Sequence, residues 1–168
     1  MLTYMATLIE LDHSGDLIKI DVELEAGEQP WRRIYATPDF VAWLNDELPL
    51  LETTIVGGDS DPLEQVDAIF HEYVVGEHMH LDRRFKSLSR TPDLFVWEFK
   101  TPDVRIFGWV PERDVFVCCF GDHKDEIETF SRYGLYMART AFRRDHLNLD
   151  PPKAIEGKDY DDVLSDAN

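Results

Sequence analysis

Residues 94–120 hold three apolar, aromatic-rich runs, LFVWEFK, VRIFGWV and VFVCCF, divided only by Thr101-Pro102-Asp103 and Pro111-Glu112-Arg113-Asp114. A parallel crossover needs roughly a dozen residues or more, so breaks this short force consecutive runs to pair antiparallel. The spacing predicts strands over 94–100, 104–110 and 115–120. Alternation then puts Val104 and Ile106 on the face opposite Arg105. A polar arginine near the start of a strand, and a last run that ends in Gly121-Asp122-His123-Lys124, are the two features such a meander does not need for its own stability.

The segments around the meander set the rest of the architecture. Residues 5–11 and 17–24 alternate apolar and polar about Asp12-His13-Ser14-Gly15-Asp16, which predicts a β-hairpin. Trp31 to Ala36 reads as a further strand. Thr37-Pro38 then suits an N-cap followed by a first helical position, with Phe40, Val41, Leu44 and Leu48 as the apolar face and Pro49 as the stop. Asp61-Pro62 opens a second helix with Leu63, Val66, Phe70 and Tyr73 as its stripe, and Gly76 ends it. The last helix is expected over about 123–146, capped by Asp122, with Ile127, Phe130, Gly134, Met137 and Ala141 on one face. Trp43, Trp97, Phe107 and Trp109 are expected in the core. The fold class is α+β: an antiparallel sheet ending in a three-stranded meander, two helices packed on one face, and the hairpin added at the N-terminus. Residues 1–30 would be the acidic hairpin extension, 31–148 the main domain, and 149–168 a loose acidic tail.

With 168 residues, 43% of them hydrophobic, the chain can bury a core. No run reaches the roughly 18 apolar residues of a membrane span. The opening MLTYMATLIELDHSG lacks a basic region and does not read as a secretion signal. The only cysteines, Cys118 and Cys119, are neighbours in a strand and point apart. They are expected reduced, which fits a cytoplasmic protein. The net charge of -17 argues against a nucleic-acid surface until its distribution is considered. Residues 1–80 carry 17 acids and 3 bases, whereas residues 81–150 carry 12 of each and so hold most of the 17 bases in the chain. The first thirty residues have seven acids and one base, Lys19. They would either shield the basic segment or, more simply, face water.

The segment from about 31 to 144 resembles the RelE/ParE toxin superfamily, and its HigB-like members in particular. Leu94-Phe95-Val96-Trp97-Glu98-Phe99-Lys100 is similar to the family's "leucine, x, glutamate, hydrophobic, basic" strand. Val104-Arg105-Ile106-Phe107 is similar to its "tyrosine-arginine-hydrophobic" strand, with Val104 where the tyrosine usually stands. Val115 to Phe120 followed by Gly121-Asp122-His123-Lys124 is similar to its last strand and basic end. Phe130 falls where some members carry a tyrosine in the final helix, with Tyr133 one turn on. The resemblance implies a toxin-like ribonuclease that cleaves ribosome-bound mRNA. The RNA's own 2′-hydroxyl attacks the adjacent phosphate, so the chemistry needs neither metal nor cofactor. Implied partners are a cognate antitoxin, the ribosome with its mRNA, and a second copy of the chain, but no membrane.

On that resemblance Arg105, His123 and Lys124 would be catalytic. Arg83, Arg84, Lys86, Arg90, Lys100, Arg132, Tyr133, Tyr136, Arg139 and Arg143 would bind RNA through charge and stacking. Each has a plainer reading that the sequence leaves open. Arg105 can pair with Glu98, His123 and Lys124 can begin an exposed helix, the arginines at 83–90 can solvate a loop, and 132–143 can be an outer helix face. The alternative function is a non-catalytic, protein-binding member of the same fold. His71, His78 and His80 lie near Glu72 and Glu77, a weak zinc pattern. No glycine-rich phosphate loop or nucleophile elbow is present.

Overall fold

The computed structural model describes residues 5–167. In chain order its elements are α1 (Leu8–Ser14), β1 (Ile18–Lys19), β2 (Arg33–Ala36), α2 (Pro38–Asp46), a 3-10 turn (Leu48–Leu50), α3 (Pro62–Val74), β3 (Phe85–Ser87), β4 (Trp97–Lys100), β5 (Val104–Trp109), β6 (Val115–His123), α4 (Lys124–Thr129), α5 (Tyr133–His146) and α6 (Tyr160–Val163). The strands form one six-stranded sheet in the order β1-β2-β6-β5-β4-β3. It is mixed rather than antiparallel, because β2 lies parallel to β6, with Ile34 opposite Phe116. The helices between β2 and β3 provide the length that a parallel return requires. Short breaks fix the meander as antiparallel, with Arg105 on its middle strand opposite Lys100 and Asp122.

One face of the sheet holds α2 and α3. Phe40, Leu48, Val66, Ile69, Phe70 and Tyr73 pack there on Ile34, Trp97, Phe99, Val104, Ile106 and Phe116. Thr37 caps α2 by accepting from the Phe40 N–H, and Asp61 caps α3 by accepting from the Glu64 N–H, each with proline at the start of the helix. Gly76 follows α3 at φ 86, a conformation that favours glycine. The other face is divided. α1 covers Tyr35, Trp109, Val117 and Cys119 with Leu8 and Leu11. α5 covers Val96 and Phe107 with Met137 and Ala141. Cys118 and Cys119 thus sit in different cores, both as free thiols. Trp97, Phe107 and Trp109 are fully buried, and Trp43 is half-buried.

Three further expectations are corrected. The N-terminal hairpin is absent: Leu8–Ser14 is helical, and only Ile18–Lys19 pairs, with β2. The cause is local, since Thr7 and Glu10 form a reciprocal capping box and Leu8 and Leu11 fall on one helical face. The final helix is two, α4 and α5, broken at Phe130-Ser131-Arg132 with Ser131 at φ 51. Phe130 therefore turns outward, 59% exposed. The C-terminal segment is not loose. Val163 and Leu164 are fully buried, the Ile155 N–H donates to Val110, and Arg32 pairs with Asp166 at 2.8 Å.

Candidate functional site

A single irregularity decides which side chains meet. The β5–β6 register shifts between Phe107 and Gly108, so that Phe107 opposes Phe120 while Gly108 opposes Cys118. Cys119 is the extra residue of a bulge. A Cβ on Gly108 would lie 2.0 Å from the Val117 carbonyl oxygen, so only glycine fits this close approach. Beyond the bulge the alternation changes phase. Cys119 and Phe120 both face the α5 side, Gly121 lies under the Trp43 ring on the other side, and Asp122 comes round beside Arg105. His123 is carried to the opposite face. Simple alternation from Val115 gives the reverse assignment.

Around Arg105 the α5 side of the sheet gathers charge and aromatic rings. Glu98 is only 1% exposed and lies in the field of Arg105, Lys100 and Lys86. Burial pushes its carboxyl pKa up, and the three cations draw it part of the way back. The Tyr133 hydroxyl lies beside both Glu98 and Arg105, and burial raises its pKa. Asp122 accepts from Arg132 at 2.9 Å and from the Tyr136 hydroxyl at 2.7 Å. Burial and that carboxylate push the Tyr136 phenol up to about 12. Tyr136 also packs tilted on Phe107 and Phe120, with ring centres 5.2 and 5.8 Å apart. The Arg132 guanidinium lies over the Phe130 ring at 4.9 Å. Arg90 approaches the start of α5, its Nη1 being 3.6 Å from where a Cβ of Gly134 would stand. Arg105 Nη1 donates to the Thr101 and Val104 carbonyls, while its Nε is buried without a hydrogen-bond partner among the described residues.

The remaining residues expected in this site are elsewhere or partnered. His123 is 5% exposed and caps α4, its Nδ1 accepting from the Asp125 N–H at 3.1 Å. Its Nε2 is 3.4 Å from Asp103. Against the push of burial, bonds from Thr53, the Thr54 N–H and Gln65 hold Asp103 below the usual carboxylate range. His123, not Asp122, is therefore the cap of the helix after β6, and it does not join Arg105. Lys124 begins α4, its N–H donating to the Asp103 carbonyl. Arg84 turns to the α3 side and pairs with Glu72 at 2.7 Å. Arg83 is exposed on the loop before β3. Lys100 lies at the site but directs its ammonium to the Asp82 carbonyl at 3.1 Å. Arg139 and Arg143 lie about 9 and 15 Å further along α5 than Tyr133, at 1.5 Å per residue. Arg143 lines a separate hollow with Thr37, Trp109 and His146.

Glu98 is the site residue that sequence reasoning treated only as a pairing partner. Its signal is an acid in the middle of an aromatic strand, Trp97-Glu98-Phe99, facing the same side as Arg105. Burial raises the Cys118 and Cys119 thiols, Cys119 to about 12, so neither is a ready nucleophile. Among the described residues no group of three or more His, Cys, Asp or Glu is arranged to hold a metal ion, and no helix is long and apolar enough to cross a membrane. No protein-family model, curated protein or solved structure matches the chain.

Proposed function

We propose that the chain is a toxin-like endoribonuclease of the RelE/ParE kind, acting on ribosome-bound mRNA and held in check by a protein antitoxin. The observation that carries this reading is the convergence of Arg105, Glu98 and Tyr133 at the end of one sheet face, with Lys86, Arg90, Lys100 and Arg132 around them. Cleavage with the RNA's own 2′-hydroxyl as nucleophile needs a proton acceptor, a cation at the phosphate and a proton donor to the leaving 5′-oxygen. Glu98, once ionised, is the acceptor. Burial makes that carboxylate a stronger base than an exposed one, as suits a proton acceptor. Arg105 stabilises the charge that grows on the phosphorane oxygens. Tyr133 stays protonated at neutral pH and is the donor. Phe130, Tyr136 and the Arg132 plane suit an unstacked base. The products are a 2′,3′-cyclic phosphate and a 5′-hydroxyl end. His123 has no part in these steps.

A second reading has its own support. Arg105 Nη1 and the Lys100 ammonium are taken up by main-chain carbonyls, and Asp122 neutralises Arg132. A non-catalytic, protein-binding member of the fold would carry such a muted surface. One experiment separates the two: translating ribosomes are incubated with wild type, Arg105→Ala, Glu98→Gln and His123→Ala, and RNA ends are mapped. The nuclease reading requires cleavage by wild type and His123→Ala, with Arg105→Ala slower by about 10²-fold, the usual effect of losing one contact to a charged transition state. Intact mRNA with the wild-type protein sinks it and leaves the binding module.

A further inference from the structure

The acidic half of the chain builds a second feature, at the opposite edge of the sheet from β3 and β4. β1 pairs with β2 for two residues only, and the Ile20 N–H donates once more, to Ile34. The chain then runs on without regular pairing over residues 21–24. Among the described residues no main-chain N–H or C=O of that stretch is hydrogen-bonded. Its side chains alternate. Ile20, Val22 and Leu24 turn in and pack at the margin of the α2–α3 core, while Asp21, Glu23 and Glu25 are exposed.

Between this strip and the helices lies a groove of about 750 Å³, floored by Leu44, Leu63, Val66 and Phe70 and reached by Asp67. Asp21, Glu23, Glu25 and Asp67 are in no ion pair among the described residues. Burial against the groove, helped by the charge of Asp61, pushes the Asp67 carboxyl up. His71 closes one end, already paired with Glu28 at 2.7 Å. An open main-chain edge, a groove with an apolar floor and polar walls beside it, and carboxylates at strand spacing of which Asp21 and Glu23 have no cation beside them among the described residues occur together here.

We propose that residues 20–25 are a docking edge for an extended segment of another protein in which apolar residues alternate with Lys or Arg. The segment adds to the sheet edge through main-chain hydrogen bonds. Its apolar side chains enter the groove, and its cations stand across from Asp21, Glu23 and Glu25 as opposite-charge cross-strand pairs. Charge complementarity selects this occupant. A second copy of the chain would bring the same acids face to face, and nucleic acid is repelled by them. Among the described residues the strip has no proline, no bulge and no covering helix; its guard against pairing is the charge of Asp21, Glu23 and Glu25, which a segment bearing Lys or Arg turns into an attraction. The proposal does not depend on the nuclease reading, since the groove lies on the α2–α3 side of the sheet and Arg105 on the α5 side.

The test uses the full-length protein and two capped, fluorescent peptides of one composition, the alternating KVKIKVKIK and the block-ordered KKKKKVIVI. Anisotropy titrations are run on wild type, Asp21→Lys/Glu23→Lys and Arg105→Ala, and binding is mapped by amide chemical shifts. The alternating peptide should bind at least tenfold more tightly than the block peptide and should shift residues 20–25, Leu44, Leu63 and Phe70. The double reversal should weaken it at least tenfold, and Arg105→Ala should leave it unchanged. Equal affinity for the two peptides reduces the edge to a diffuse acidic surface and overturns the proposal. So do shifts centred elsewhere on wild type, or a concentration-dependent dimer that occupies the same residues. Should the double reversal misfold, the wild-type shift map and the comparison of the two peptides decide alone.

Discussion

Arg32 offers the sharpest check on how the chain is closed. Its side chain is fully buried, a rare state for an arginine. Nη1 donates to the Tyr73 and Glu77 carbonyls at 3.0 and 2.9 Å, Nε to the Ser165 carbonyl at 3.0 Å, and Nη2 to Asp166 at 2.8 Å. Asp114 lies 3.7 Å away, and the Tyr73 ring is 5.1 Å below. One residue thus ties the end of α3 to the C-terminal segment. Arg32→Met keeps the aliphatic stem on Tyr73 and deletes the guanidinium. Breaking a buried pair by removing one partner costs roughly 3–5 kcal/mol. The lower end applies here, because Asp166 and Asp114 keep 33% and 23% side-chain exposure and Asp166 retains bonds from His78 and Tyr160. A loss of about 3 kcal/mol lowers Tm by roughly 6–12 °C in a domain of this size. Urea unfolding measures the first quantity and calorimetry the second. Trypsin adds a local test at Lys158. If the segment opens on its own, cleavage there should quicken by up to roughly 10²-fold, the equivalent of about 3 kcal/mol. A Tm within about 2 °C of wild type, with Lys158 equally protected, would falsify the anchoring role.

Two further outcomes follow from the site. Gly108→Ala forces a Cβ to within 2.0 Å of the Val117 carbonyl oxygen, so it should destabilise by at least the upper part of the roughly 1–3 kcal/mol seen for overpacking; urea unfolding equal to wild type would mean that the bulge is not held as described. Glu98→Gln tests the buried carboxyl through pH. Burial raises the Glu98 pKa above its ordinary value of 4.5, so the folded state holds that proton more tightly than the unfolded state. The stability this group contributes is full below the unfolded value and declines as pH rises from there through the folded pKa. The variant should therefore gain on wild type as pH rises above the ordinary carboxyl value of 4.5 in urea unfolding. A difference that does not change with pH shows that the carboxyl is not held up by burial.

What the sequence disclosed was whatever short-range chemistry determines. Thr37-Pro38, Asp61-Pro62 and Gly76 bounded α2 and α3 because caps and left-handed turns are local demands. The meander followed from the length of its breaks. The helix at Leu8–Ser14 was also written locally, in Thr7 and Glu10, but the alternation of MATLIEL masked the i, i+3 spacing of Leu8 and Leu11. The parallel pairing of β2 with β6 joins residues about eighty positions apart, which no window of sequence contains. The bulge at Cys119 was hidden for the same reason. It is specified by how Gly108 meets Val117 across the ladder, and without it the phase of Asp122 and His123 is read backwards. Arg32 and Arg144 look in sequence like surface cations. Their burial depends on carbonyls that distant segments bring to them, Ser165 to Arg32 and Leu94 to Arg144.

The unmade bonds at the site bear on why it should be more than packing. Glu98 Oε2 and Arg105 Nε are both buried and make no hydrogen bond among the described residues. Leaving a buried donor or acceptor unsatisfied costs about 1–3 kcal/mol, and more when the group is charged. A purely structural pair on adjacent strands would close on itself, and a purely apolar replacement would avoid the penalty altogether. Instead Arg105 Nη1 is turned back onto Thr101 and Val104, which fixes the guanidinium while leaving Nε without a partner. Both atoms are closed to solvent with the Tyr133 hydroxyl beside them, so a ligand that brings an acceptor for Nε and a donor for the Glu98 carboxylate satisfies both once Tyr133 moves aside. A ribose 2′-hydroxyl next to its own phosphate has that arrangement. So does a serine or threonine hydroxyl beside a main-chain carbonyl, which is how a protein partner would engage the same pair. The two differ in charge. Phosphate binding gains from every cation around the site, so raising salt should weaken it steeply, while a neutral peptide should respond little. The salt dependence of whatever binds at Arg105 thus distinguishes RNA from protein before any cleavage is measured.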